Sequence, residues 1–380
     1  MSAFLKGLAE QLRRLTLRRS HQLMLLLFLG ASTLSVATYR QGAMRELPVA
    51  LYDADGTALS RALARAIDAT PELRVLTDPP PTLHEAELAL TRGELCAVVL
   101  IPDGFTAALK RGRRAEVVVA ADLSNVLTGK TAQRSIARVL ATAAAGAEVS
   151  VLERLGTPPA SALARAVPIT VTEALPGNPA ASYASYVAPA FAYFFVHVLT
   201  LFLAWSVLWP PVPGRAIADA AGRFAACALL GLAAALVVTY GVLSLDHLAP
   251  ASSPSVVVPA LLALVLGDLL FASALAALFR GGLFGFQVTV LLGMLSLMLS
   301  GLTWPWDAIP GPLRALAAAI PFTPFGRAMR VFFAGRAELG DLAGPLAWMG
   351  AQAIGCGGVL ALRGAVRKVV AIARHEEVPS

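Results

Sequence analysis

The chain has 380 residues, 57% of them hydrophobic and only 14% charged, with a mean hydropathy of +0.68 and a formal net charge of +7. Soluble domains carry roughly 25% charged residues, so this composition excludes an ordinary soluble enzyme or binding module. Six uncharged apolar runs, each able to supply the ~20 residues that span a hydrocarbon core, would need a soluble core larger than the chain can enclose.

The charge is unevenly placed. Arg45 to Glu173 holds 14 basic and 15 acidic residues, so the excess, 17 basic against 9 acidic, lies in the apolar portion and its flanks. Basic residues at the ends of apolar runs are a topology signal and argue against a nucleic-acid footprint. Cys96, Cys227 and Cys356 are scattered and offer no disulfide or metal spacing.

Residues 1–20 predict a cytoplasmic amphipathic leader helix. Phe4, Leu5, Leu8, Leu12 and Leu15 share one face, with Lys6, Arg13, Arg14 and Arg18 largely off it, so such a helix can lie at the interface towards anionic lipid or a partner. Residues 21–39 form the first span. Its exit, SVATYRQG, has no small-residue cleavage site, which predicts an uncleaved helix with its N-terminus inside.

From 40 to 182 the pattern alternates strand-like and helix-like pieces: PVALY, a helix over 58–69, LRVLT, a helix over 83–91, LCAVVLI, AEVVVAA and a helix over 129–155. This predicts an α/β domain placed outside by the first span. In YDADGT, Asp and Gly provide turn chemistry and Thr57 or Ser60 a helix cap. SNVLTGKT, Ser124 to Thr131, follows a strand and opens a helix as a phosphate loop does, but Ser124 stands where glycine is needed, so it reads as a helix start. His84-Glu85 has no second ligand at metalloprotease spacing.

Residues 183–363 predict five further spans, near 185–208, 224–243, 256–279, 283–301 and 342–362, and 364–380 a cytoplasmic tail. Counting from an inside N-terminus puts the leader, Trp209–Arg223, Arg280 and the tail inside, where the Lys and Arg gather; the Ser244–Ser255 loop, outside, has none. Against that bias, Arg314, Arg327, Arg330 and Arg336 fall outside. They belong to a segment over 302–341 that is apolar yet rich in proline, beginning SGLTWPWDAIPGPLRALAAAIPFTPF. Trp304 and Trp306 suit the interface. Pro305, Pro310 and Pro312 turn the chain and start a short helix over Leu313–Ile320, which Pro321 and Pro324 end. The segment is therefore expected to be a re-entrant or surface-lying cap at the exit of the path, formed by Trp304, Pro305, Trp306, Asp307, Pro310 and Pro321.

His197 in the second span and Asp268 in the fourth are candidate functional groups, because an unpaired ionisable side chain at membrane depth is costly. The alternative for Asp268 is a hydrogen bond that fixes helix packing. No paired nucleophile and base marks a catalytic site.

Four stretches together resemble the permease subunits of ABC-2 type exporters with a large extracytoplasmic domain. They are LPVALYDADGTALSRALARAI (Leu47–Ile67), GELCAVVLIPDGFTAALKRGRRAEVVVAADLSN (Gly93–Asn125), NPAASYASYVAPAF (Asn178–Phe191), and the proline-rich segment continued by GRAMRVFFAGRAELGDL (Gly326–Leu342). The resemblance implies an α-helical polytopic membrane protein of six transmembrane helices, with an α/β extracytoplasmic domain inserted between the first and second. It implies a permease, not an enzyme, that exports a drug or lipid-like amphiphile across a bacterial inner membrane, with both termini cytoplasmic. No cofactor is expected in this chain; ATP and Mg belong to partner ATPase subunits. A second permease subunit, as homo- or heterodimer, the lipid bilayer and a periplasmic adaptor are the other implied partners, and no nucleic acid. Many members carry an Arg-Glu…Gly-Thr stretch in the loop after the second span, where this chain reads WPPVPGRAIADAAGR. The coupling candidates here are Arg13, Arg14, Arg215, Asp219 and Arg223. The competing class, a membrane sensor with a ligand-binding outside domain, fits poorly with six spans and an 18-residue tail from Arg363.

Overall fold

Ser2 caps the first helix by accepting from the Leu5 amide, and α1 (Ala3–Leu17) follows with no proline to interrupt it. The structure, a computed structural model, describes residues 2–39, 44–111, 113–167, 183–208, 216–279 and 282–376. It divides into two compact units, one of Met1–Gly42 with Leu175–Ser380 and one of Ala43–Ala174. After α1 the chain turns at Arg18 into α2 (Arg19–Thr38). Leu26 and Leu34 of α2 are each 68% exposed. An apolar helix that presents leucines outward suits a hydrocarbon surrounding, where its backbone is satisfied internally.

The second unit begins with β1 (Leu47–Asp53), α3 (Ala58–Asp68), β2 (Leu73–Val75), α4 (Leu83–Thr91) and β3 (Ala97–Ile101). It continues through α5 (Phe105–Lys110), β4 (Val118–Ala121), α6 (Val126–Arg154) and α7 (Pro159–Ala166). The sheet order is β2-β1-β3-β4, parallel except for β4, which runs antiparallel to β3. Alternation splits each central strand between two faces. Val49, Ala97, Val99 and Ile101 pack with Leu63, Ile67, Ala132 and Ile136, while Ala50 and Val98 pack with Ala86 and Ala89. Buried on both faces, the parallel strands read as continuous apolar runs, which is why PVALY and LCAVVLI stand out in the sequence.

The Tyr52–Thr57 turn is held by side chains. Thr57 accepts from the Ser60 amide while Ser60 accepts from the Thr57 amide, a reciprocal cap for α3. Thr106 donates to Asp55 from its hydroxyl, at 2.6 Å, and from its amide. The Thr106 hydroxyl bond is the main reason the Asp55 carboxyl lies below its ordinary pKa. The phosphate-loop-like SNVLTGKT is the start of α6, with the Asn125 side chain accepting from the Leu127 and Thr128 amides.

The first unit resumes with α8 (Tyr183–Leu208), α9 (Ile217–Leu236), α10 (Leu243–Leu245), α11 (Pro254–Leu278) and α12 (Gly282–Leu299). It ends with α13 (Gly311–Ala318), α14 (Phe322–Ala334) and α15 (Ala343–Glu376). Helix α8 is its centre: Tyr193, Leu199, Leu201 and Leu203 are fully enclosed, and α2, α9, α11 and α12 all pack on it. One widened turn, Val237–Val242, joins α9 to α10; within it Thr239 meets the Tyr193 hydroxyl at 2.8 Å.

Three boundaries differ from the expected ones. Residues 216–223 are the first turns of α9 itself, since nothing after Ala216 breaks the helix and α1 packs against those turns. Helix α15 runs on past Gly364 to Glu376, so the expected tail starts inside a helix. Pro324 does not end α13; it sits in the first turn of α14, where a missing amide hydrogen costs little.

Among the described residues seven helices are long and apolar enough to cross a membrane: 19–38, 127–154, 187–208, 217–245, 254–278, 282–299 and 339–365. Six coincide with the expected spans. The seventh lies in α6, which also carries Lys130, Arg134 and Arg138 and lends Ala132 and Ile136 to the core of the sheet unit.

Candidate functional site

Helix α1 does not float free: the face carrying Gly7, Gln11 and Leu15 is laid along the start of α9, while Phe4 and Leu5 of the expected apolar face are 37% and 48% exposed. Two glycines permit it. A Cβ on Gly7 would stand 2.8 Å from the Asp219 carboxylate, and one on Gly222 would stand 2.8 Å from the Leu8 amide nitrogen and nearer still to the Phe4 carbonyl oxygen. Gln11, fully buried, donates to the Ser206 hydroxyl at 2.7 Å and towards Cys227 at 3.9 Å, tying α1 to both α8 and α9. Arg223 pairs with Asp219 at 2.9 Å, one turn back on its own helix, and with Glu10 of α1.

Of the expected coupling residues, Asp219 and Arg223 therefore meet in one cluster. Arg14 is half-buried beside it, and Arg13 faces outward. Arg215 lies outside the described residues. Glu10, Gln11, Ser206, Gly7 and Gly222 escaped sequence reasoning. The available signal was two glycines in helical stretches, each on a face with no side chain to pack.

His197 and Asp268, read separately from the sequence, form one buried pair. Nδ1 of His197 lies 2.8 Å from Oδ1 of Asp268, and both side chains are 0% exposed. The imidazole tilts over the Phe322 ring with centroids 5.1 Å apart. Gly267, beside Asp268, lets α11 approach Pro321, where an added Cβ would come within 3.2 Å. The pair thus joins α8 to α11, under the start of α14. Nε2 of His197 and Oδ2 of Asp268 have no hydrogen-bond partner among the described residues.

The proline-rich segment divides into α13 and α14, about 12 and 20 Å long at 1.5 Å per residue, each shorter than a ~30 Å hydrocarbon core. They are not alike. Leu313 and Leu316 of α13 are exposed, whereas Phe322, Phe325 and Phe332 of α14 are fully buried, with Phe325 and Phe332 edge-on to Tyr193. Trp306 and Trp348 pack edge to face at 5.8 Å, and the Arg327 guanidinium lies 5.1 and 4.8 Å from their centroids. Trp348 and Gln352 donate to the last carbonyls of α13, at 3.0 and 2.6 Å for Ala318. Arg330 donates to the Gly301 carbonyl. Two arginines that run against the charge bias thus have local structural work. Pro321 is buried at the α13–α14 junction; Trp304 is 60% exposed; Asp307, almost wholly exposed, lies 4.0 Å from Arg314. Pro305 precedes a single 3-10 turn and Pro310 caps α13.

Apolar helices of membrane length, tied through buried polar pairs and presenting leucines outward, make this a polytopic membrane protein. Residues 21–208 match the family model described as ABC-2 family transporter protein, and the chain is an ABC-2 type transporter permease. No curated protein and no solved structure matches the chain. Proteins of this family are membrane transport components, generally not catalytic themselves, that typically work with an ATPase partner.

Proposed function

We propose that the chain is the permease of an exporter that moves a drug or lipid-like amphiphile outward, from the cytoplasm or inner leaflet, on ATP hydrolysed by a separate subunit. The observation that carries this reading is the α1–α9 platform. A basic amphipathic helix is locked to the start of a membrane-length helix by Gly7, Gly222, Gln11 and the Glu10–Arg223–Asp219 cluster. A rigid lever of that kind transmits a partner's motion to α9 and α8, because two discrete packings of one interface can carry coupling between sites. Arg13, outward-facing, offers contact to the ATPase.

In this reading α2, α8, α9, α11, α12 and α15 span an inner membrane with both termini cytoplasmic, and α6 stays with the sheet unit outside. A second permease copy or a related subunit completes the path, with an adaptor beyond it. Helix α13 and the Trp304–Pro310 turn lie at the outer surface as the exit cap. A cysteine at Ala318 is expected to resist a membrane-impermeant maleimide on intact cells until detergent is added; free labelling before detergent would place that helix in water.

The function itself is tested by affinity purification of the full chain from native membranes. An ATPase subunit should co-purify, and its ATP turnover should respond to the permease. A chain that never recruits one sinks the proposal.

A further inference from the structure

The segment over 302–341 holds four arginines, Arg314, Arg327, Arg330 and Arg336, against the charge bias of the rest of the chain. Two of them have oxygens to meet: Arg330 donates to the Gly301 carbonyl, and Arg314 lies 4.0 Å from the Asp307 carboxylate. Arg327 is held in another way. Its guanidinium lies against both Trp306 and Trp348, 5.1 and 4.8 Å from the ring centroids, with the two rings 76° apart. Neither indole can accept a hydrogen bond, because its one polar group is a donor, and that of Trp348 is already given to the Ala318 carbonyl. Among the described residues Arg327 therefore has a rigid seat but no hydrogen bond and no ion pair.

Its surroundings add a second constraint. Arg327 is exposed, although Phe325, Ala328 and Met329 on either side of it are buried. The cap beside it is apolar and open: Trp304 is 60% exposed, and Leu313 and Leu316 of α13 are 43% and 37% exposed. A planar guanidinium matches two oxygens of a phosphate at once. A side chain already fixed by aromatic faces has also given up the freedom that ligand binding would otherwise take from it. Arg336, exposed on the same segment, has no ring stacked on it among the described residues.

We propose that Arg327, clamped by Trp306 and Trp348, is a binding site for the phosphate of an anionic lipid, whose acyl chains lie against Trp304, Leu313 and Leu316. The guanidinium donates to two phosphate oxygens, and the indoles keep it aimed without competing for them. The inference goes beyond the export reading and takes from it only the placement of α13 and the Trp304–Pro310 turn at the membrane surface. A zwitterionic lipid offers the same phosphate but brings its own cation, which competes with the arginine for the indole faces.

The test is native mass spectrometry of the full-length permease in detergent, without ATPase, using phosphatidylglycerol, phosphatidylcholine and glycerol phosphate as probes. Phosphatidylglycerol should be retained about tenfold more tightly than phosphatidylcholine, the worth of one charge-assisted hydrogen bond. Glycerol phosphate should not displace it. Arg327→Gln should remove most of the preference, and Arg327→Lys, which keeps the charge without the planar fork, should keep part of it. Trp306→Leu leaves the charge in place but takes away one wall of the clamp, and it should lower the preference too. Arg336→Gln removes an unclamped charge from the same segment and should change little. Equal retention of the two lipids by the unaltered chain overturns the inference. So does an unchanged preference in Arg327→Gln or Trp306→Leu, or an equal fall in Arg336→Gln, which would mean that net charge alone attracts the lipid. Displacement by glycerol phosphate overturns it as well, marking a site for a soluble anion. Should Arg327→Gln fail to fold, Arg327→Lys and Trp306→Leu decide. A chain that shows the preference while its Ala318 cysteine is labelled freely refutes the cap placement only; one with a protected cysteine and no preference refutes this inference only.

Discussion

Replacing His197 with leucine is expected to lower the stability of the permease by about 1–3 kcal/mol, the usual cost of leaving a buried hydrogen-bonding group without its partner. The Asp268 carboxylate would then sit fully enclosed without its one hydrogen-bond donor at 2.8 Å. Asp268→Asn keeps a hydrogen-bonding group of the same shape and should cost much less. The double variant His197→Leu with Asp268→Leu should recover most of the loss, because well-packed apolar residues often replace a buried pair at no net cost. Thermal unfolding in one detergent of the unaltered chain, His197→Leu, Asp268→Leu and the double variant gives the coupling directly. If the double variant loses the sum of the two single leucine losses, the two residues are not energetically coupled and the pair is not what joins α8 to α11.

The second large effect concerns the platform. Gly222→Val is expected to lift α1 off α9, because the new side chain would meet the Phe4 and Leu8 backbone, and backbone cannot yield as a flexible side chain does. Overpacking of this kind costs about 1–3 kcal/mol, and here it falls on one interface. Gln11 would lose Ser206 and Glu10 would lose Arg223. Leu15, 0% exposed against the bundle, would come into contact with water or lipid. A cysteine at Leu15 should thus be protected from maleimide in the otherwise unaltered chain and labelled in Gly222→Val, with response of the ATPase to the permease lost in the same variant. Persistent protection of that cysteine in Gly222→Val would show that the glycine contact does not hold the helix down.

Much of the local structure was legible from residue order alone. PVALY and LCAVVLI mark β1 and β3 because strands covered on both faces must be apolar throughout. Thr57 and Asn125 mark helix starts because their short polar side chains reach the first free amides. The membrane-length helices are legible for the same reason: a hydrocarbon surrounding demands a long apolar run whatever the helix touches. The proline-rich segment was half legible. Its prolines show that no single helix crosses there, but Pro324 was read as a stop and proves to be in the first turn of α14. A proline ends one helix and begins another with the same fixed backbone angle, so only the burial of Phe325 and Phe332 against Tyr193 decides between the two.

Pairing was not legible. His197 and Asp268 are 71 residues apart, and Gln11 is 195 residues from Ser206. Each was at most a polar residue in an unexpected place. By itself, then, the sequence determined the class of environment, the helices and strands that environment permits, and the charge bias at their ends, because these follow from each residue's own solvation and from its near neighbours. Only the tertiary structure decided which polar groups satisfy one another and where two glycines bring helix backbones together. Those contacts depend on close packing between helices distant in the chain, and periodicity along one helix holds no information about the surface it will meet.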